Sequence, residues 1–180
     1  MTQITNVLKG VTETPVRNWT PFLVAPLGER GDLPRALTTF EGMGDRLRSA
    51  AFAEIQAREA FLWAADRFEA EAPAGLVQAW RALAKEEDKH MNWLLNRMEE
   101  LKIPVQDRQV SLHLWVSLTA CQNAREFAFY MASAEQRGRT AGLRFYKDLI
   151  AKDRVTAEIF GKIAEEELSH IELVHRFFQA

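Results

Sequence analysis

Two runs decide how this chain reads: Ala84-Lys85-Glu86-Glu87-Asp88-Lys89-His90 and Ala164-Glu165-Glu166-Glu167-Leu168-Ser169-His170. Each carries Glu-x-x-His inside a stretch of strong helix formers. Residues i and i+3 share one face of a helix, so Glu87 with His90, and Glu167 with His170, can each grip one ion. A single such pair is commonly no more than a solvated acidic face. Two pairs in similar local sequence turn attention to the rest of the chain for further ligands.

Outward from these runs the pattern is helical. Asp45 to Glu71 lacks Pro and, after Gly44, Gly, and it places Leu47, Ala51, Glu54, Phe61, Ala65 and Phe68 near one stripe. Ala72-Pro73-Ala74-Gly75 stops that helix, and a second runs from Pro73 to Leu101, ended by Pro104. Ile103 to Ala120 is a connection whose apolar piece, Leu112 to Leu118, suits a short helix. A third long helix is expected from Gln122 to Ala151, with Gly138 and Gly142 interrupting its pattern. A fourth follows from Arg154 to Phe178, with Asp153 as N-cap. No strand alternation is sustained, so the expected class is all-α, a four-helix bundle over residues 45–180. Residues 1–44 hold Pro15, Pro21, Pro26, Pro34 and five glycines, which break regular structure. Trp19, Phe22, Leu23, Val24 and Leu27 are too apolar for a free tail, so this arm is expected to pack on the bundle.

The two halves resemble each other. An offset of 81 carries Ala51, Ala53, Glu54, Arg58, Ala60 and Leu62 onto Ala132, Ala134, Glu135, Arg139, Ala141 and Leu143. An offset of 80 carries Ala84, Glu86, Glu87 and His90 onto Ala164, Glu166, Glu167 and His170. A nearly constant offset over two segments indicates related helical hairpins. It singles out Glu54 and Glu135 among many acids. Glu54 and Glu87 lie at similar distances on either side of the Pro73 turn, about 20–30 Å along their helices, and hence at one level. Glu54, Glu87, His90, Glu135, Glu167 and His170 can therefore converge mid-bundle. One Glu from each of two helices plus Glu-x-x-His from each of the other two is the ligand set of a carboxylate-bridged di-metal site. Carboxylates are hard ligands that bridge cations, and imidazole suits iron. The expected cofactor is two metal ions, iron first, with manganese or a mixed pair as alternatives.

Composition removes other classes. The formal net charge of −2 has its acids and bases interspersed, which offers no basic surface for nucleic acid or membrane. The one cysteine, Cys121, excludes a disulfide framework or a Cys-based metal site. No leader-like segment and no bilayer-length apolar run is visible, so the expected compartment is the cytoplasm.

With these residues in view the chain resembles the ferritin-like superfamily, its rubrerythrin-like branch, and within that a bacterial family of uncharacterised ferritin-like proteins. The resemblance covers roughly Trp19 to Phe178, including Trp19-Thr20-Pro21-Phe22-Leu23-Val24-Ala25-Pro26, Glu54-Ile55-Gln56-Ala57 and both Glu-x-x-His motifs. It implies the fold and a di-metal site and says little about the reaction; a di-iron protein reacting with O₂ or peroxide is the leading expectation. The chain departs from that pattern at Phe52, where His is frequent, and at Glu86 and Glu166, where Asp is frequent. It also has no Cys-x-x-Cys module to act as a built-in electron donor.

Peroxide reduction, ferroxidation and oxygenation of a small substrate all fit such a centre, and the fold does not choose among them. Each would call on an external electron donor or substrate, and a homodimer is the expected assembly. A non-enzymatic iron store and a metal-free scaffold are the alternatives. Glu59 is the rival of Glu54 on the first helix. Glu172-Leu173-Val174-His175 is a third Glu-x-x-His, rotated about 140° off the ligand face and so read as exterior. Glu126 is too far along its helix from Glu135 to share the site. Glu86 and Glu166 either accept hydrogen bonds from the ligand imidazoles or are solvated acids. Arg58 and Arg139 read as helix ion pairs, His113 as structural, and Tyr130 and Tyr146 as core.

Overall fold

A computed structural model describes residues 14–178; residues 1–13 of the expected arm lie outside the described residues. Five α-helices and no β-strand occur among the described residues: α1 (Phe40–Arg67), α2 (Leu76–Glu100), α3 (His113–Thr119), α4 (Ala124–Leu149) and α5 (Arg154–Phe177). The chain is all-α, and none of these helices is long and apolar enough to cross a membrane. α1 packs along α2, and α4 along α5, as two hairpins. The hairpins meet through α2 against α5 and, more sparsely, through α1 against α4.

The helix ends differ from the sequence expectation for local reasons. α1 starts at Phe40 rather than Asp45, because the Thr39 hydroxyl accepts from Gly42 N at 3.0 Å and caps the first turn. Gly42 and Gly44, which look like breakers, are there for close approach. A Cβ at Gly42 would run into the Ala36 carbonyl, and one at Gly44 would press on Ile103 at 3.0 Å. α1 ends at Arg67 rather than Glu71, since the Phe68 carbonyl takes Glu71 N and Ala72 N and turns the chain. α2 starts at Leu76 rather than Pro73, because Gly75 at φ 90° is left-handed. α4 starts at Ala124 behind the Asn123 cap, and ends at Leu149, whose carbonyl accepts Lys152 N and Asp153 N. Asp153 caps α5 as expected, accepting Thr156 N at 3.0 Å.

Two apolar layers fill the interior. One gathers Ala57–Phe68 of α1, Leu76–Ala84 of α2, Trp115 and Leu118 of α3, and the start of α4. The other gathers Met43–Ile55 of α1, Met91–Met98 of α2 and Ala157–Ile163 of α5. Between them, every long helix passes through one polar level, that of Glu54, Glu87, Glu135 and Glu167.

The arm lies on the outer side of α1. Trp19 and Phe22 set their rings on Phe52, with centroids 5.8 and 4.9 Å away. The Trp115 indole N–H donates to Pro15 O at 2.9 Å, and Val24 forms an isolated parallel bridge with Val110. Phe52 thus points to the arm and away from the polar level. Buried Arg48 ties α1 to the α2–α3 connection: it donates to Val105 O at 2.8 Å, to Pro104 O at 2.7 Å and to Asp45 at 3.0 Å.

Candidate metal centre

On α2 and α5 the candidate ligands sit inside the apolar stripe itself. Trp80, Leu83, Ala84, Glu87, His90, Met91, Leu94 and Met98 are the buried face of α2 beyond Leu76. Phe160, Ile163, Ala164, Glu167, His170 and Val174 continue that of α5. A helix that buries this stripe must bury its Glu and His too. Glu87 and His90 are 0 % exposed, Glu167 3 %, His170 4 % and Glu135 8 %. Glu54 is only partly buried, because it grazes the cavity described below.

The six expected residues meet in two overlapping groups. Glu54, Glu87, His90 and Glu167 bring one ligand atom each within 4.8 Å of one another, and so do Glu87, Glu135, Glu167 and His170. Glu87 and Glu167 belong to both. Glu87 presents Oε1 to His170 Nδ1 at 2.9 Å and Oε2 to His90 Nδ1 at 3.6 Å. Glu167 presents Oε2 to His170 Nδ1 at 3.1 Å and Oε1 to His90 Nδ1 at 3.2 Å. These approaches lack the alignment of hydrogen bonds: both oxygens of Glu87 and Glu167, Glu135 Oε1 and both Nδ1 atoms are buried without a hydrogen-bond partner. Buried polar atoms are normally paired, and a cluster of orphans aimed at shared points is what a bound cation would satisfy. These buried Glu and His groups can hold a metal ion, and their chemistry fits a hard divalent one.

The chain matches the family described as "Protein of unknown function (DUF455)" over residues 3–180. It belongs to DUF455. No curated protein and no solved structure matches it.

In this DUF455 chain the far side of each imidazole is held by the opposite hairpin. His90 Nε2 lies 2.8 Å from Glu166 Oε2, and His170 Nε2 lies 3.0 Å from Glu86 Oε2. An ionised carboxylate only accepts, so Nε2 carries a proton, and Nδ1, which faces the cluster, is the nitrogen whose lone pair becomes available when the ring is neutral. Of the two readings of Glu86 and Glu166, the geometry takes the hydrogen-bonding one, and crosses it between hairpins. Lys89, which no motif marks, adds its ammonium to Glu166 Oε2 at 2.6 Å. With His90, it overcomes the effect of burial and holds the Glu166 carboxyl below its ordinary range.

Without a cation the charges conflict. Burial, then the Glu87 and Glu167 carboxylates, push Glu54 well above the usual carboxyl range; burial, then Glu167 and Glu87, do the same to Glu135. Burial works against a charge on His90 and His170, but Glu167 and Glu87 outweigh it and push His90 up to about 9 and His170 up to about 12. For Glu167, burial is outweighed by His170 and His90, which bring it down to about 2.

The remaining candidates fall elsewhere. Glu59 pairs with Arg17 at 3.3 Å and Arg58 at 2.9 Å, outside the cluster. Arg58 also pairs with Asp88, and Arg139 Nε donates to Ala164 O at 3.0 Å instead of pairing with an acid. Glu172 and His175 are exposed, and so is His113, expected to be structural. Tyr146 is exposed where a core position was expected, while Tyr130 is half-buried. Glu126 caps its own helix start by accepting Gln122 N at 2.7 Å.

A cavity of about 300 Å³ lies between α1 and α4, with Glu54, Glu135 and Glu167 in its wall and mainly apolar side chains around them. Its size is at the lower end of the range for small-molecule sites.

Proposed function

We infer that the four long helices form a ferritin-like bundle of the rubrerythrin-like branch, built around a carboxylate-bridged di-metal centre that reacts with O₂ or peroxide. Iron is the first choice of metal. The observation that carries this is the sharing of Glu87 and Glu167: each turns one oxygen to each imidazole, and none of the four oxygens has a hydrogen-bond partner. Glu54 and His90 would then help hold one ion, and Glu135 and His170 the other. Two ions held there would polarise a diatomic oxidant and, in their reduced state, would be able to pass electrons to it.

The chain's own residues perform the rest. Four carboxylates balance the charge of two divalent ions, and Glu86 and Glu166 fix the imidazole tautomers by accepting the Nε2 protons. The two apolar layers keep bulk water from the carboxylates, while the cavity leaves Glu54 and Glu135 reachable. That access favours a reactive centre over an inert store.

The test is metal analysis of protein isolated without chelator, followed by anaerobic Fe(II) loading and exposure to O₂. Glu87→Ala and Glu167→Ala should each reduce metal toward one ion per chain or none and abolish reoxidation of loaded Fe(II), with helix content intact. Glu172→Ala, with the same residue type and local motif on the exposed face, should behave as wild type. If Glu87→Ala and Glu167→Ala leave metal content unchanged, the reading fails and a metal-free scaffold replaces it.

A further inference from the structure

We propose that the cavity between α1 and α4 binds a small organic anion with an apolar body, its anionic end on Arg46 and its apolar end against Glu54 and Glu135. The inference rests on the metal-centre reading only for what that apolar end meets. Its first support is the shape of the space. Ala50, Ala53 and Ala57 on α1 face Gly138, Ala141 and Gly142 on α4, all of them lining the cavity. Small residues on facing helices ordinarily permit close packing. Here α1 and α4 touch only sparsely, and the space is open at Gly138, where a Cβ would meet nothing within 4 Å, whereas one on Gly142 would press on Phe160 O of α5 at 3.3 Å. The volume is about that of ten water molecules, ringed by Phe145, Phe160, Ile163 and Leu114.

The second support is charge. Arg46 lines the same cavity, and its Nη1 is buried with no hydrogen-bond partner. Its guanidinium lies over the Phe145 ring, 5.9 Å from the centroid, and makes no hydrogen bond or ion pair with any described residue. A buried guanidinium N–H without an acceptor is costly, and a carboxylate is its best-matched partner. Arg139, nearer the cluster, spends its Nε on the Ala164 carbonyl, so Arg46 is the cation in the wall with no acceptor among the described residues. Arg46 and Glu54 are eight residues apart on α1, about 12 Å. One end of the space is therefore cationic and the other is lined by carboxylates. An anion with an apolar tail is oriented by that polarity, head to Arg46 and tail inward.

Octanoate is a suitable probe, titrated calorimetrically into the protein as isolated with its metal, beside octanol and octylamine. Octanoate should bind once per chain and more tightly than either analogue. Arg46→Gln should weaken it roughly tenfold or more. Gly138→Leu places a side chain in the open space and improves helix propensity, so it should remove binding from a chain that stays folded. Metal content of both variants should equal wild type. The proposal is overturned if octanoate does not bind, if octanol binds as tightly, or if both variants bind octanoate like wild type. It is also overturned if sedimentation shows a dimer that Gly138→Leu dissociates, because the face is then an interface between copies. Octanoate binding to a chain that holds no metal would sink the metal-centre reading and leave this one standing; metal without octanoate binding would do the reverse.

Discussion

Consider chelator-treated protein melted at a series of pH values from about 6.5 to 8.5. In the unfolded chain histidine loses its proton near 6.5, whereas folded His90 keeps it to about 9 and His170 to about 12. The folded state therefore binds more protons across this window. The stability these groups contribute is fully present below 6.5 and declines as pH rises toward their folded values. Glu54 and Glu135, also raised, act in the same direction. Glu167 has the opposite sense, but its contribution is lost only as pH falls toward about 2, outside the window. Two pH units on one histidine correspond to about 3 kcal/mol. For a chain of this size that is a fall in Tm of roughly 10 °C from His90 alone. Loading with Mn(II) should reverse the trend. The ligands must shed their protons to bind, so the metal's stabilisation grows with pH. Far-UV circular dichroism melts of stripped and loaded protein should thus diverge as pH rises. A constant gap, or a stripped protein that gains stability with pH, would refute the reasoning.

Other outcomes follow from particular contacts. Glu86→Gln and Glu166→Gln leave all six ligands in place but weaken the anionic acceptor of each imidazole, and should lower metal affinity roughly 10- to 100-fold in a calorimetric titration; equal affinity would mean the crossed hydrogen bonds do not orient the rings. Arg48→Ala leaves Pro104 O and Val105 O without their donor and should cost about 3 kcal/mol or more in urea denaturation, while a loss below about 1 kcal/mol would show that the α2–α3 connection is held by other contacts. Asp153→Ala removes the α5 cap and one of the partners of Arg97, which keeps Thr156 and Glu100, and should cost about 1–2 kcal/mol. Thr156 and Arg97 overcome burial to hold the Asp153 carboxyl below its ordinary range. Its contribution is lost as pH falls through that depressed value, so the deficit of Asp153→Ala should shrink in strong acid.

What could be read from residues alone depended on how local the cause was. Glu87, His90, Glu167 and His170 were legible because they interrupt apolar stripes at helical spacing, and burying the stripe buries them. Glu54 and Glu135 carry no motif of their own, and only the internal repeat set them apart from acids such as Glu59. α1 starts earlier than its glycines suggest, because glycine has two uses. Gly42 and Gly44 resemble breakers in one dimension, and only the approach of Ala36 and Ile103 reveals them as spacers. The Glu86–His170 and Glu166–His90 exchange depends on how α2 and α5 lie against each other, which spacing within either helix does not encode. Arg46 was invisible for the same reason: nothing in its neighbours announces a cavity two turns from a carboxylate.

The exchange of imidazole partners has a consequence for how the two hairpins become one unit. Each hairpin contributes a Glu-x-x-His pair, but the carboxylate that aims its ring belongs to the other. Neither hairpin alone can therefore present a finished half-site, and a chain with its halves undocked has no ring aimed for capture. Docking and readiness to bind share a single threshold. The two exchanges are reciprocal, Glu166 holding His90 and Glu86 holding His170.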